Sequence, residues 1–273
     1  MLRKVHSNGC DFQCRFEDPG VGRKGSLVFV HGEIHSMDYW APQFDAFADR
    51  YACLAYNRRG HVGTGMTDFG FSVENQTLDL LGLIDHFELE KPYLVALAFG
   101  TTITANFAIN HPDRVAGLAM IAWSELYEAR DYLARWEIAA RAAAEELEAG
   151  GREGLIEMLR EHGGSKYFKV IPPKGHPFRE RAVQMLGAHP VEEYRHGMLE
   201  MAASVPDLIP RMAGLDIPVM GINGTDDPFI EDPARLAGVR RFRQVEPIEG
   251  GGRFAHWEYP DVFNARLVEY FGL

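Results

Sequence analysis

The strongest chemical signal in the chain is the run Tyr93-Leu-Val-Ala-Leu-Ala-Phe-Gly-Thr-Thr-Ile-Thr-Ala105. An apolar strand passes into a helix through a turn with small residues at Ala96, Ala98 and Gly100. In a G-x-S-x-G elbow, small flanking residues let a strained turn lift a serine hydroxyl above the edge of a sheet, where it attacks a carbonyl. Here the five positions are Ala96-Leu97-Ala98-Phe99-Gly100, and Ala98 stands where the serine belongs. A methyl group cannot attack a carbonyl, and the aspartate or cysteine that could substitute is not there either. The three cysteines offer little chemistry. Cys10 and Cys14 have no second Cys or His pair nearby, so with Cys53 they read as reduced thiols, and no metal site is expected.

The elbow requires a sheet beneath it. Leu27–Val30, Ala52–Tyr56, Tyr93–Leu97 and Val115–Ala122 are short apolar runs, the pattern of strands buried on both faces. Between them, Tyr39–Asp49, Val73–His86 and Gly100–Asn110 carry apolar residues at helical spacing, the last stopped by His111-Pro112. Strands alternating with helices predict an α/β fold, a mostly parallel sheet flanked by helices. After Trp123 the pattern turns helical. Arg130–Leu147, ended by Gly150-Gly151, is followed by Gly154–Glu161 and Arg179–Met201, with a Pro/Gly/Lys-rich loop over Ser165–Pro177. Strands resume at Ile217–Asn223 and Arg241–Val245, and Asp261–Phe271 closes the chain as a helix. The expected organisation is a core of residues 1–123 and 213–273, with a helical lid over 124–212.

The chain has 273 residues, enough for a sizeable core without disulfide support. Its net charge of −11 argues against nucleic acid as a partner, because phosphates need a basic face. Met1–Asn8 has basic residues but no apolar run behind them, so no signal peptide is read there. No segment approaches the length of a membrane span. The expectation is a cytoplasmic protein acting on a small molecule, with no membrane partner; self-association as a homo-oligomer stays open.

Further segments support the elbow. Phe107-Ala-Ile-Asn-His-Pro-Asp-Arg-Val115 follows it, His31-Gly32 ends an early strand, Asn57-Arg-Arg-Gly-His61 forms a Gly/Arg loop, and Phe254-Ala-His-Trp-Glu-Tyr-Pro260 lies late in the chain. Together these resemble the α/β-hydrolase fold family. There an HPDRV-like turn follows the elbow helix, a D-x-R-G-x-G loop precedes it, and a GH-x-x-x-x-E-x-P loop carries the base. The resemblance covers the chain outside the helical insertion. It implies His256 as catalytic base, with Ala255 for the family glycine and a shortened spacing. It implies Asp227, from Asn223-Gly-Thr-Asp-Asp-Pro228, as the acid that orients the base. Glu125, near the end of the preceding strand, is the alternative acid, and Asp226 is assigned to the turn. The oxyanion hole falls to the backbone N–H groups of Phe99 and Glu33. A glutamate there is unusual, and its carboxylate must turn away or be neutralised; His35 is near enough in sequence to be its partner. The lid is rich in aromatic and methionine side chains, so Trp123, Tyr127 and Trp136, with Gly32, His35 and Trp257, are expected to line the substrate cleft. No cofactor is implied.

Alanine at position 98 admits three accounts. In the first, which an apparently intact His and Asp favour, a serine hydrolase of a small, partly apolar ester or lactone carries a Ser→Ala change of the kind made to trap substrate. A C–C bond hydrolase acting on a β-diketone-type substrate fits the same scheme. In the second, the protein is a non-catalytic ligand-binding homologue. In the third, His256 acts as a base without any nucleophile, as in cofactor-free dioxygenase-like or lyase-like relatives. The scaffold alone does not choose among them.

Overall fold

The computed structural model describes residues 1–123, 130–162, 171–172, 174–190, 196–227 and 232–273. Glu125 and Tyr127 lie outside the described residues, as does the side chain of Trp136. Eight strands form one sheet: β1 (Leu2–Ser7), β2 (Cys10–Glu17), β3 (Ser26–Val30), β4 (Ala52–Tyr56), β5 (Tyr93–Leu97), β6 (Gly117–Ile121), β7 (Val219–Ile222) and β8 (Phe242–Gln244). Their order is β1-β2-β4-β3-β5-β6-β7-β8. The β1–β2 and β2–β4 pairings are antiparallel and the rest are parallel. Every residue of β3, β4 and β6 is buried, as expected for strands covered on both faces.

The β1–β2 hairpin is absent from the strand pattern read in the sequence. Its core signal is the alternation of buried Cys10, Phe12, Cys14 and Phe16 along β2, half of it carried by cysteines. Packed as small hydrophobes, all three thiols are buried.

Helices cover both faces. On one face lie α2 (Val73–His86) and α3 (Phe99–Asn110); on the other lie α1 (Ala41–Phe47) and the final helix (Pro260–Phe271). α2 starts where the Ser72 hydroxyl accepts the Asn75 N–H at 3.3 Å. α3 stops at His111, ahead of Pro112. The segment between β6 and β7 contributes α4 (Arg130–His162), α5 (Arg179–Gly187), α6 (Met198–Ala203) and α7 (Ile209–Met212). α4 leaves helical geometry at Gly151, φ 65°, at the Gly-Gly pair that the sequence marks as a break. Ala140, Ala144, Leu155, Leu159, Val183, Leu186 and Met198 of these helices form a separate apolar cluster that also takes in Ile34, from the loop after β3. The inserted segment is thereby anchored to the loop expected to supply the oxyanion hole. The short α8 (Ala255–Glu258) precedes α9 (Pro260–Phe271), which opens on proline and is followed by Gly272 at φ 73°.

The chain order places β4 on one side of β3 and β5 on the other. The carboxyl ends of β3 and β5 therefore flank the switch point where open α/β sheets bind ligands. Gly32–Glu33 follows β3 there, and Ala98 follows β5.

Candidate active site

Ala98 sits between β5 and α3 with φ 50° and ψ −125°, backbone that a side-chain-bearing residue adopts at a cost of about 1–3 kcal/mol. The surroundings over-determine it. Its N–H donates to Ile121 O at 2.9 Å, and its carbonyl accepts from Thr101 N at 2.7 Å and Thr101 Oγ1 at 2.6 Å. Gly100 must lack a side chain, because a Cβ there would drive into the Val30 carbonyl. Gly32 is similarly constrained: a Cβ would come within 2.9 Å of both the Ala98 methyl and His35 Nδ1. The strained turn that exposes a nucleophile is thus kept, with a methyl at its apex.

Glu33 resolves the electrostatic conflict expected at the oxyanion loop, through a different partner. Its Oε1 accepts from Arg58 Nη2 at 2.5 Å, and its Oε2 lies 3.6 Å from His61 Nε2. The Glu33 and Arg58 side chains are each 1% exposed. Arg58 also donates from Nε to Gln76 Oε1 at 2.8 Å, and Nη2 lies 3.7 Å from Met201 Sδ on α6. The rings of His31, His61 and His189 follow one another at centroid spacings of 4.7 Å. His31 is fixed as a neutral tautomer: Nδ1–H donates to Gly32 O at 2.7 Å, and Nε2 accepts the Arg58 N–H at 2.9 Å. Burial and the Arg58 charge hold its pKa well below the usual imidazole value. Burial alone takes first place for His189, pushed down to about 3. Arg58 and His61 were read from sequence only as part of the Asn57–His61 loop, with no role of their own, and His189 was not singled out. Twenty-five positions separate Arg58 from Glu33, and only the fold joins them.

His35 is therefore not the partner of Glu33. Its ring packs 4.9 Å from Phe254, edge-on, and 5.3 Å from Tyr39, while Nδ1 sits beside the Ala98 methyl over Gly32. That nitrogen is buried and has no hydrogen-bond partner. Burial first, then the neighbouring His31, Arg253, His256 and Arg58, keep the imidazole neutral well below its usual pKa.

On the far side of the elbow, Asp227 is buried while Asp226 is exposed. Arg253 is one group that faces Asp227: Nη1 lies 3.5 Å from Oδ2, and both side chains are almost fully buried. The structure does not bring His256 to Asp227. His256 packs among aromatic rings, its own 4.4 Å from Trp40 and 5.9 Å from Phe263. Both ring nitrogens are buried without a hydrogen-bond partner, and burial alone pushes the pKa down to about 3. The sequence carried the signal for this difference. Counted back from Glu258 and Pro260 at the full spacing of GH-x-x-x-x-E-x-P, the histidine position is 253, after Gly252. Glu258 fixes that loop, accepting the Gly252 N–H at 2.7 Å.

Trp257 joins Tyr39 and Phe178 at 5.1 and 4.8 Å, with the Arg181 guanidinium 5.2 Å from its ring centroid. Trp123 is engaged on β8, its indole N–H donating to Gln244 Oε1 at 3.3 Å and its ring edge-on to Phe242. Among the described residues, no three His, Cys, Asp or Glu side chains are grouped to hold a metal ion. No helix among them is long and apolar enough to cross a membrane.

The comparisons with known proteins bear on the family and the fold. A 3-oxoadipate enol-lactonase of Acinetobacter baylyi is 27% identical over 252 residues, 87% of this chain and 85% of that protein. Among solved structures, a hydrolase from Pseudomonas aeruginosa superposes with a TM-score of 0.81 at 20% identity, covering 100% of this chain and 98% of that one. The enol-lactonase from Burkholderia xenovorans superposes with a TM-score of 0.78 at 20% identity, covering 99% and 100%. The sequence pattern of the alpha/beta hydrolase fold matches residues 25–260, so the chain belongs to the α/β hydrolase fold family.

Proposed function

We propose that this protein is a disarmed member of its family. Its cleft is that of a hydrolase of small, partly apolar esters or lactones, and in the present chain it binds a ligand of that kind without cleaving it by serine chemistry. The observation that carries the reading is the pairing of Asp227 with Arg253 beside an elbow that holds Ala98. Serine hydrolysis needs a nucleophile and a base that takes its proton. Ala98 supplies no nucleophile, and a guanidinium stays protonated, so Arg253 cannot act as the base. Two positions of the mechanism are altered, whereas a single trapping substitution alters one. The remaining parts favour a retained site: the elbow is strained as though to display a side chain, and the Glu33 carboxylate is drawn aside by Arg58. The lactonase activity named for the Acinetobacter baylyi relative supports the substrate class.

His256 fits a structural role better than that of a base working without a nucleophile, since its ring packs against Trp40 and Phe263 and both its nitrogens are buried without a hydrogen-bond partner. The test is hydrolysis of a panel of aryl esters and lactones by the chain as it stands and by Ala98→Ser, Arg253→His and the double variant. The proposal predicts turnover only in the double variant. Turnover by the unaltered chain, or full activity from Ala98→Ser alone, would overturn it.

A further inference from the structure

The loop that carries Glu33 holds a backbone strain. Ile34, the next residue, has φ 54°. Among the described residues, the others that bear a side chain at positive φ are Asn8, Glu88, Ala98 and Ala122, none of them branched at Cβ. Glycine takes this conformation freely, whereas a β-branched side chain crowds the backbone there. Such a residue keeps a positive φ only where its surroundings over-determine it.

The surroundings of Ile34 belong to the inserted segment. Ile34 is 3% exposed, and the buried side chains it clusters with include Ala140, Leu155, Val183, Leu186 and Met198. Neither of the two clusters that pack against the sheet contains it. The core holds the rest of the loop. His31 bridges Gly32 O and the Arg58 N–H, the Glu33 carboxylate is bound to Arg58, and the Met37 N–H donates to Asn57 Oδ1 at 2.7 Å. The C-terminal end of the inserted segment is also fixed to the core. The Glu200 carboxylate accepts the Ser72 N–H at 3.0 Å, and Ser204 Oγ accepts the Val73 N–H at 2.8 Å. Met201 and Ala202 pack with the core, whereas Met198, one turn earlier on α6, belongs to the cluster around Ile34.

We propose that Ile34 is a positioning residue, through which the packing of the inserted segment sets the conformation of the loop after β3 at the cleft. This rests on the reading of the cleft as a retained ligand site. With the segment packed, burial of the Ile34 side chain offsets the strained φ. With the segment withdrawn, that burial is lost and the backbone relaxes to negative φ. The loop is held at His31 and at Met37, so the change falls on the peptide groups between them, those of Gly32 and Glu33 included. A ligand that touches the loop in its strained conformation favours the packed segment, and the packed segment favours that ligand by the same factor.

The experiment is nuclear magnetic resonance spectroscopy of the unaltered chain and of Ile34→Ala, Ile34→Val and Leu186→Ala. A strong Overhauser contact between the amide proton and Hα of position 34 marks a positive φ there. The expected result is a strong contact in the unaltered chain and in Ile34→Val, which keeps both the branch and the burial, and a weak one in Ile34→Ala. Leu186→Ala lies on α5 and leaves the loop's own sequence intact, yet it should weaken the same contact and shift the Glu33 amide. A second readout is kinetic. Added to the pair Ala98→Ser/Arg253→His, Leu186→Ala should lower kcat about a hundredfold and leave KM within about threefold, because a displaced oxyanion donor is felt in the transition state. If Leu186→Ala does not fold, Ile34→Ala supplies both readouts. A strong contact kept in both alanine variants, with the Glu33 amide unmoved, overturns the proposal. So does a KM that rises as much as kcat falls, since the inserted segment then acts on binding alone. If the pair at positions 98 and 253 gives no turnover, the disarmed-enzyme reading falls, and the spectra decide the role of Ile34 by themselves.

Discussion

Replacing His256 by leucine should remove part of the protein's acid sensitivity, by an amount that follows from its burial. His256 is 0% exposed, its nitrogens have no partner, and its pKa is pushed from 6.5 to about 3 by burial. The unfolded chain takes up a proton on this imidazole near pH 6.5, whereas the folded chain refuses it until about pH 3. Acid therefore favours the unfolded state. The stability tied to this group is fully present above about pH 7.5 and drains away as the pH falls from 6.5 towards 3. Each pH unit across that window costs about 1.4 kcal/mol, so a fall from about pH 7.5 to about pH 5 removes about 2 kcal/mol. Leucine has nearly the same volume, suits the Trp40–Phe263 environment and does not titrate. Other buried histidines titrate in both proteins and cancel in the difference. Urea unfolding at the two pH values should therefore show the unaltered protein losing about 2 kcal/mol more than His256→Leu. At the higher pH the variant should be at least as stable, because two unpaired buried nitrogens are gone. Equal losses in both proteins would refute the reasoning, since they would mean that His256 is hydrated or paired with a carboxylate in the folded state.

Two further substitutions probe how the site is held. Arg58→Met should cost about 3–5 kcal/mol in urea unfolding, because it removes the buried cation paired with the Glu33 carboxylate; a loss under about 1 kcal/mol would show that the pair is dispensable. Gly100→Ala should destabilise by at least about 1–3 kcal/mol or prevent soluble expression, since its Cβ meets the Val30 carbonyl; a thermal melt equal to that of the parent would contradict the tight elbow.

How far the fold and site could be read from sequence depended on how local each signal was. The elbow was legible because a strained turn restricts residue size at fixed offsets, and Ala96, Ala98 and Gly100 satisfy that restriction within five positions. The parallel strands were legible because burial on both faces leaves unbroken apolar runs. The hairpin of β1 and β2 was missed because its alternation rests on Cys10 and Cys14, which attract a chemical reading before a packing one. The neutralising partner of Glu33 was not legible at all: Arg58 reaches it only because β3 and β4 lie side by side. The choice of His256 followed residue type across a shortened spacing, whereas the full spacing leads to position 253. Glu258 anchors the loop through the Gly252 amide, and counting from that anchor leads to Arg253.

The central claim is that two positions, 98 and 253, separate this chain from serine hydrolysis. A double-mutant cycle in kcat/KM on an aryl ester or lactone tests it most directly, comparing the unaltered chain, Ala98→Ser, Arg253→His and the pair. Members of a triad act as a unit, and losing one costs on the order of 10⁴ to 10⁶ in rate. The account predicts near-background rates for both single variants and a gain of at least about 10³ for the pair, retained when His256→Leu is added. A pair that stays inert on every substrate, or one whose activity disappears with His256→Leu although the protein remains folded, would contradict it.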